Sequence, residues 1–285
     1  MVVVGSLNHD ITVWVPHRPA PDETLHGSRV EEFRGGKGAN QAVAAARLGA
    51  TVSMIGSVGN DARAGFLLQG LDEEGVDRRH VQQVDLPTGV ALITVDPDDV
   101  SIIVVAGANE ATDAALVGRA REAVESADVL LLQGEVGAEA AVAAAQWARG
   151  AGTRVVVNPA PFNEVADAVM SLADVAVVNR QEAACLAGEL PPLVVTTVGA
   201  EGCELVADGG DVLRIPAPFV DVVDPTGAGD AFVAAFAVRW LETDDPVEAA
   251  RFAVRAGAFA VGRGGAQVGL PLRADVEAMP VPGTS

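Results

Sequence analysis

Short apolar runs recur along this chain with helical periods between most of them, and that alternation restricts the fold more than any other feature. The runs are Val2–Val4, Thr51–Ile55, Val129–Leu132, Arg154–Val157, Val175–Val178 and Leu193–Thr197. The helical periods cover Ala39–Leu48, Leu67–Glu74, Ala114–Ser126, Glu139–Arg149, Ala231–Trp240 and Val247–Val261. A strand with no polar alternation must be covered on both faces, and successive parallel strands need crossover helices. The pattern predicts an α/β fold with a mostly parallel central sheet covered by helices.

Two segments break the rhythm. Residues 11–34 hold Pro16, Pro19 and Pro21 between β-prone stretches, and in residues 86–106 the runs Gly89–Val95 and Ser101–Val105 flank DPDD, a hairpin turn signal. They predict a small antiparallel sheet standing outside the parallel one, either a lid over a substrate mouth or a peripheral decoration. Its apolar residues, among them Val13, Trp14, Val15 and Ile93, need a covering surface, which a second subunit would supply. The expected organisation is one domain over residues 1–285 with lid inserts at about 11–34 and 86–106.

The 285 residues carry 39 Asp and Glu against 19 Lys and Arg, a formal net charge of −20. Such a field repels nucleic acid and anionic membranes, so neither is an expected partner. A phosphorylated ligand would need a local site that overrides it. The opening MVVVGSLNHD reads as a first strand, no run is long enough to span a bilayer, and two cysteines make no disulfide framework. A cytoplasmic location is expected.

The chemistry concentrates in VVDPTGAGDAFVAAFAVRW, residues 222–240. Gly227, Ala228 and Gly229 open an apolar helix, where backbone N–H groups gather positive potential suited to a transferring phosphoryl group. Asp230 beside them is placed to take a proton from an attacking alcohol as the bond to phosphorus forms. In RGGKGANQ, Gly35, Gly36 and Gly38 allow close approach of a ligand, and Lys37 and Asn40 bring polar groups to a helix start. An ordinary helix start also explains that stretch. Asn8 and Asp10 follow the first strand and suit adjacent sugar hydroxyls or a turn; Glu135 follows a strand at its carboxyl end. Asn179 and Glu182 in NRQE suit hydrated Mg²⁺ and phosphate oxygens, or a capping box. Thr197, Gly199 and Gly202 in TTVGAEG suit a nucleotide clasp or a β-turn. No Walker A loop, HExxH, CxxC or GxSxG occurs, residues 55–59 match GxGxxG poorly, and three tryptophans without tyrosine make no nucleic-acid platform.

Taken together, GSLNHD, GGKGANQAVAAARLGA, TGVALITVD, AGAN, QGE, NPAP, NRQE, TTVGAEG, DPTGAGDAF and GRGGAQ resemble the ribokinase family of carbohydrate kinases, the pfkB type. The likeness covers nearly the whole chain. It implies a ribokinase-like fold and ATP-dependent phosphorylation of a primary sugar hydroxyl, with O5 of D-ribose the expected acceptor. Other sugars or nucleosides (2-deoxyribose, fructose, adenosine, a keto-deoxy sugar acid) and a non-catalytic sugar sensor or scaffold are the alternatives. Residue by residue, the resemblance implies sugar contacts by Asn8, Asp10, Gly36, Lys37, Asn40 and Glu135, with Asp230 the base and Gly227, Ala228 and Gly229 the anion hole. It places Asn179, Thr197, Gly199, Gly202 and Gly229 at ATP, and Glu182 at Mg²⁺ through water. It assigns Asp224, Thr226, Ala260, Arg263 and Gly265 to a monovalent cation, usually K⁺, and implies a homodimer through the lid. The chain departs from the family between NRQEAACLAG and LVVTT, where ELPP stands in place of a further helix.

Overall fold

The apolar runs pair edge to edge into one twisted sheet whose two faces are both buried. The computed structural model describes residues 1–97 and 99–281; Asp98 of the DPDD turn and residues 282–285 lie outside it. In chain order the first third forms β1 (Val2–Val4), β2 (Asn8–Trp14), β3 (Arg29–Gly35), α1 (Lys37–Arg47), β4 (Ser53–Gly59), α2 (Ala62–Glu73), β5 (Asp77–Val84), β6 (Gly89–Val95) and β7 (Val100–Val105). The middle forms α3 (Ala114–Arg119), α4 (Arg121–Glu125), β8 (Val129–Gln133), α5 (Ala138–Ala151), β9 (Arg154–Asn158), α6 (Glu164–Val169), β10 (Val175–Asn179) and α7 (Arg180–Ala183). The last part forms β11 (Leu193–Thr197), β12 (Cys203–Ala207), β13 (Leu213–Ile215), α8 (Ala228–Thr243), α9 (Pro246–Val261) and α10 (Arg273–Ala278).

The large sheet runs β13-β12-β11-β10-β9-β8-β1-β4-β5. Strands β5 to β11 along that order are parallel, and β12 and β13 close one edge antiparallel. Alternate residues of each strand feed two separate cores. Val3, Leu131, Val156, Val177 and Val195 pack with α1, α8 and α9, while Val2, Val4, Leu130, Leu132, Val155 and Val157 pack with α3, α5 and α6. Small residues let α5 lie close to the sheet, since Ala140, Ala141, Ala144, Ala145 and Ala148 are all fully buried beneath it.

Departures from the sequence reading have local causes. The expected helix Ala114–Ser126 is two short ones that meet at Ala120 (φ −100°, ψ 12°), which keeps Leu116, Val117 and Val124 all turned inward. β5 reads DRRHVQQV and escaped notice because an edge strand needs only one neighbour and tolerates charge along its length. Between α7 and β11 no helix forms, as the short ELPP segment requires, and Val194 and Val206 on that face of the sheet stay half-exposed.

The second sheet has the order β3-β2-β6-β7. It is mixed rather than antiparallel: β2–β3 and β6–β7 run antiparallel, but β2 and β6 are parallel, with Asn8 opposite Gly89 and Trp14 opposite Val95. The reason is connectivity, since β2 follows β1 and β6 follows β5, and those two parallel strands both deliver the chain at the carboxyl-end side of the large sheet. The β2–β3 pair also starts earlier than expected, at Asn8, and ends at Gly35, so its first and last residues, opposite each other, belong to the mouth of the molecule. Among the described residues no helix is long and apolar enough to cross a membrane.

Candidate active site

Parallel strands all present their carboxyl ends on one side, and the polar residues that end them collect there. The register sets Val4 beside Leu132, so that Asn8 and Glu135 emerge close together, and sets Gln133 directly opposite Asn158. Over these ends sit the N-termini of α1 and α8 and the underside of the small sheet. A cavity of about 870 Å³ lies between them, lined by Asn8, Asp10, Gly36, Lys37, Asn40, Glu135, Glu182, Thr226, Gly227 and Asp230. Ile93, Ile102 and Val104 of the small sheet form its apolar roof. A second cavity of about 510 Å³ contains Thr197, Gly199, Gly202, Ala228 and Gly229, with apolar walls from Phe232, Val254 and Val261. The two share Pro225, so the turn that starts α8 is the partition between them.

That turn is built by a glycine no other residue replaces easily. Gly227 has φ 79°, and a Cβ on it would lie 2.8 Å from Ala266 O. The N–H of Ala228 donates to Pro225 O at 3.2 Å, whereas those of Gly227 and Gly229 meet no acceptor among the described residues. Two donors of the expected three are therefore free for an anion. Gly229 faces open space, since a Cβ there would meet nothing within 4 Å.

Asp230 is 6% exposed and held from α1: Asn40 Nδ2 donates to Oδ2 at 2.9 Å and Gln41 Nε2 to Oδ1 at 3.0 Å. Glu135 accepts from Ser6 Oγ and from the backbone N–H of Lys37, tying the end of β8 to the start of α1. The side chain of Asn109, in AGAN, donates to Asn8 Oδ1 at 2.8 Å and accepts from Leu7 N–H, fixing the turn between the two sheets. Asp10 fits over Gly35, where a Cβ would fall 2.1 Å from its Oδ2, and its Oδ1 is buried without a partner.

Packing so many carboxylates in one cavity shifts the titration of Asp10 and Lys37. Burial, then the Glu135 and Asp230 carboxylates, push Asp10 up to about 7. Burial pulls the Lys37 ammonium down, but Asp230, Glu135 and Glu182 outweigh it and hold Lys37 above its usual value. The cavity thus keeps one cation among acids.

Some expected residues lie elsewhere. Asn179 lines neither cavity: its side chain caps α7, accepting from Gln181 and Glu182 N–H, while Glu182 returns a bond to Asn179 N–H at 2.9 Å. The capping-box geometry is therefore present, and Glu182 still borders the first cavity. Asp224 joins two loops, accepting from Thr226 N–H at 2.9 Å and Gly265 N–H at 2.8 Å. Around Gly269 the carbonyls of Gly265, Ala260 and Arg263 converge, at 3.0, 3.3 and 3.5 Å from where a Cβ would stand. No group of three or more His, Cys, Asp or Glu able to hold a metal occurs among the described residues. Gln41, Gln133, Asn158, Ser6 and Asn109 were not singled out from the sequence. Each lies in a motif of the family resemblance, Gln41 in GGKGANQ, Gln133 in QGE, Asn158 in NPAP, Ser6 in GSLNHD and Asn109 in AGAN, but no role was read for it.

Comparison with known proteins agrees with this arrangement. The pfkB family carbohydrate kinase profile matches residues 1–273, and the chain belongs to that family. Within it the likeness is to ribokinases. The ribokinase of Bacillus subtilis strain 168 is 38% identical over 285 residues, 96% of this chain and 97% of that protein. The deoxyribokinase of Salmonella typhi is 31% identical, with 95% of each chain covered. The structure of Arabidopsis thaliana ribokinase complexed with ribose and ATP superposes with a TM-score of 0.88 at 30% identity, over 97% of this chain and 96% of that one.

The raised titration of Asp10 has a consequence for stability. A folded value near 7 against 3.8 unfolded means that the folded state binds the extra proton, so stability falls as pH rises from about 4 towards 7 and levels off above. Asp10→Asn removes the buried charge. It should raise the melting temperature by about 5 °C at pH 8 and little at pH 4, measured by scanning calorimetry; equal gains at both pH values would trace the effect to packing.

Proposed function

We propose that the protein transfers the γ-phosphoryl group of ATP to the primary hydroxyl of a sugar, with D-ribose as acceptor at O5. The observation that carries this reading is the partition: one cavity floored by acids, amides and Lys37 under an apolar roof, and a second walled by Phe232, Val254 and Val261, meet at a helix N-terminus with two free N–H donors and a buried carboxylate. A sugar in the first cavity would put its hydroxyl at Asp230, and a nucleotide in the second would direct its phosphates to Gly227 and Gly229. Asn8, Asp10, Gly36, Lys37, Asn40 and Glu135 supply the acceptors and donors that a polyhydroxylated ring needs. An acidic cavity also disfavours an anionic acceptor. The Arabidopsis relative, complexed with ribose and ATP, and the Bacillus ribokinase support the choice of ribose. Similarity to a deoxyribokinase keeps 2-deoxyribose as the second reading.

In the reaction Asp230 accepts the hydroxyl proton as the bond to phosphorus forms, and the helix N-terminus meets the charge that develops on the phosphoryl oxygens. Glu182, with Asn179 beside it, is the residue placed to hold a hydrated Mg²⁺, which lowers the charge of the phosphates. Closure of the apolar roof over the sugar would exclude water. The free cysteines, Cys185 exposed and Cys203 buried, suit a reducing cytoplasm.

A monovalent cation fits the carbonyls of Ala260, Arg263 and Gly265, with Asp224 and Thr226 on the adjoining loop; such an ion would order the Gly227 turn without touching either substrate. The small sheet is also proposed to join a second copy. Its outer face exposes Leu92 (44%), Ile103 (64%) and Val105 (55%), an apolar strip that a monomer would leave in water.

Three measurements test these statements. In a coupled assay with ATP, ribose should outpace 2-deoxyribose, fructose and adenosine, and Asp230→Asn should lower kcat by about 10³-fold or more with modest change in sugar KM; near-normal turnover would remove Asp230 as the base. Adding K⁺ to sodium-free buffer should raise kcat, and equal rates with and without it would defeat the cation assignment. Light scattering should give the mass of a dimer at micromolar concentration, and a monomer would sink the lid-mediated contact.

A further inference from the structure

Asp230 is gripped from opposite directions. Asn40 reaches it from the wall of the cavity, whereas Gln41, the next residue on α1, is fully buried and reaches it from inside the protein. Gln41 does not line either cavity. A buried glutamine is costly unless every polar atom is used, and here every atom is. Its Nε2 donates to Asp230 Oδ1 at 3.0 Å and to Asn158 Oδ1 at 3.2 Å, and its Oε1 accepts from Gln133 Nε2 at 2.7 Å. Asn158 Nδ2 in turn donates to Val177 O at 2.9 Å.

The direction of this chain is fixed from its strand end. Val177 C=O only accepts, so Asn158 must present its nitrogen there and its oxygen to Gln41. Asn158 Oδ1 only accepts, so Gln41 must present its nitrogen to it, and with that nitrogen to Asp230, and its oxygen to Gln133. One arrangement of the three amides makes these four bonds, and it aims an N–H at Asp230 Oδ1; Gln133 Oε1 is left buried without a partner. The anchors are rigid, because Gln133 and Asn158 face each other on adjacent parallel strands β8 and β9.

We propose that Gln41 is the positioning residue of the catalytic base, and that Gln133 and Asn158 hold its amide so that Asp230 is held and aimed into the sugar cavity. The proposal rests on the reading of Asp230 as base. Gln41 touches neither substrate and acts only through Asp230. The other titratable groups that surround Asp230 are Lys37, Asp10, Glu135 and Glu182, all on the cavity side. None supplies a donor to Oδ1 from the interior.

The test compares Gln41→Met, Gln41→Glu and Asp230→Asn with the wild type, all assayed with ribose and ATP across pH 6 to 9. Gln41→Met keeps the length of the side chain and removes the donor; kcat should fall about 100-fold while sugar KM changes less than about threefold. Gln41→Glu puts a second carboxyl beside Asp230, and the two share one proton. While that proton is present it still donates to Asp230; once it leaves, two charges face each other. The variant should therefore lose activity as pH rises through neutrality, a loss that the wild type lacks. A purely structural role would lower the melting temperature without reshaping the pH profile. Wild-type kcat in Gln41→Met, or a wild-type pH profile in Gln41→Glu, overturns the proposal. Should Gln41→Met not fold, Gln133→Met, one link further from the substrate, carries the same kcat-against-KM comparison. Asp230→Asn separates the two levels: if it stays active the base assignment itself fails, and if it alone is inactive only the role of Gln41 fails.

Discussion

A buried negative charge between two helix N-termini is the constraint on which the rest of this molecule depends. Asp230 is 6% exposed, and a carboxyl group in that position is costly unless its oxygens are hydrogen-bonded. Two amide N–H groups from α1 meet that need, one on each oxygen. The start of α8 adds the positive end of a sixteen-residue helix. The bonds that hold the charge are therefore also the bonds that lock α1 against α8, and they tie the first part of the chain to the last across 190 residues of sequence.

The large sheet supplies the floor that this arrangement needs. Parallel strands end together, so Gln133, Asn158 and Glu135 arrive on one side without any loop having to reach for them. Apolar alternation on two faces keeps the strands immobile and leaves polarity only at their ends. The small sheet is the opposite case. It meets the body through the Asn8 turn, the Gly35–Gly36 junction and the contacts of His9 and Arg34 with Phe66 and Glu73 of α2, and both of its faces carry exposed aliphatic residues. A polar floor and an apolar roof suit a reaction that must admit a sugar and then exclude water.

The balance between cations and acids in the cavity follows from the same economy. Lys37 stands among Asp230, Glu135 and Glu182, and Asp10 is held near neutrality by burial and its neighbours. A chain of net charge −20 repels anions at long range, and against that field the free N–H groups of Gly227 and Gly229 and the Lys37 ammonium gather positive potential at one point.

The sequence by itself determined the parallel sheet, the helix that begins at the GAG turn, and the polar residues that face the cavity, because each is written in a local pattern: apolar runs, a glycine-rich cap, an acid or amide just past a strand. It did not show that β2 and β6 run parallel, since strand direction depends on where two distant connections leave the sheet. Nor did it show that Ala228 N–H is taken by Pro225 O, or that Asn179 turns back to cap α7. Gln41 is the clearest instance. It follows Asn40 directly, yet neighbouring residues on a helix point about 100° apart, and only the packing of α1 on β8, β9 and α8 decided that one amide would face the cavity and the other the interior. Local chemistry was legible because it repeats along the chain, and the bonds that aim Asp230 were not, because their partners meet only after the chain has folded.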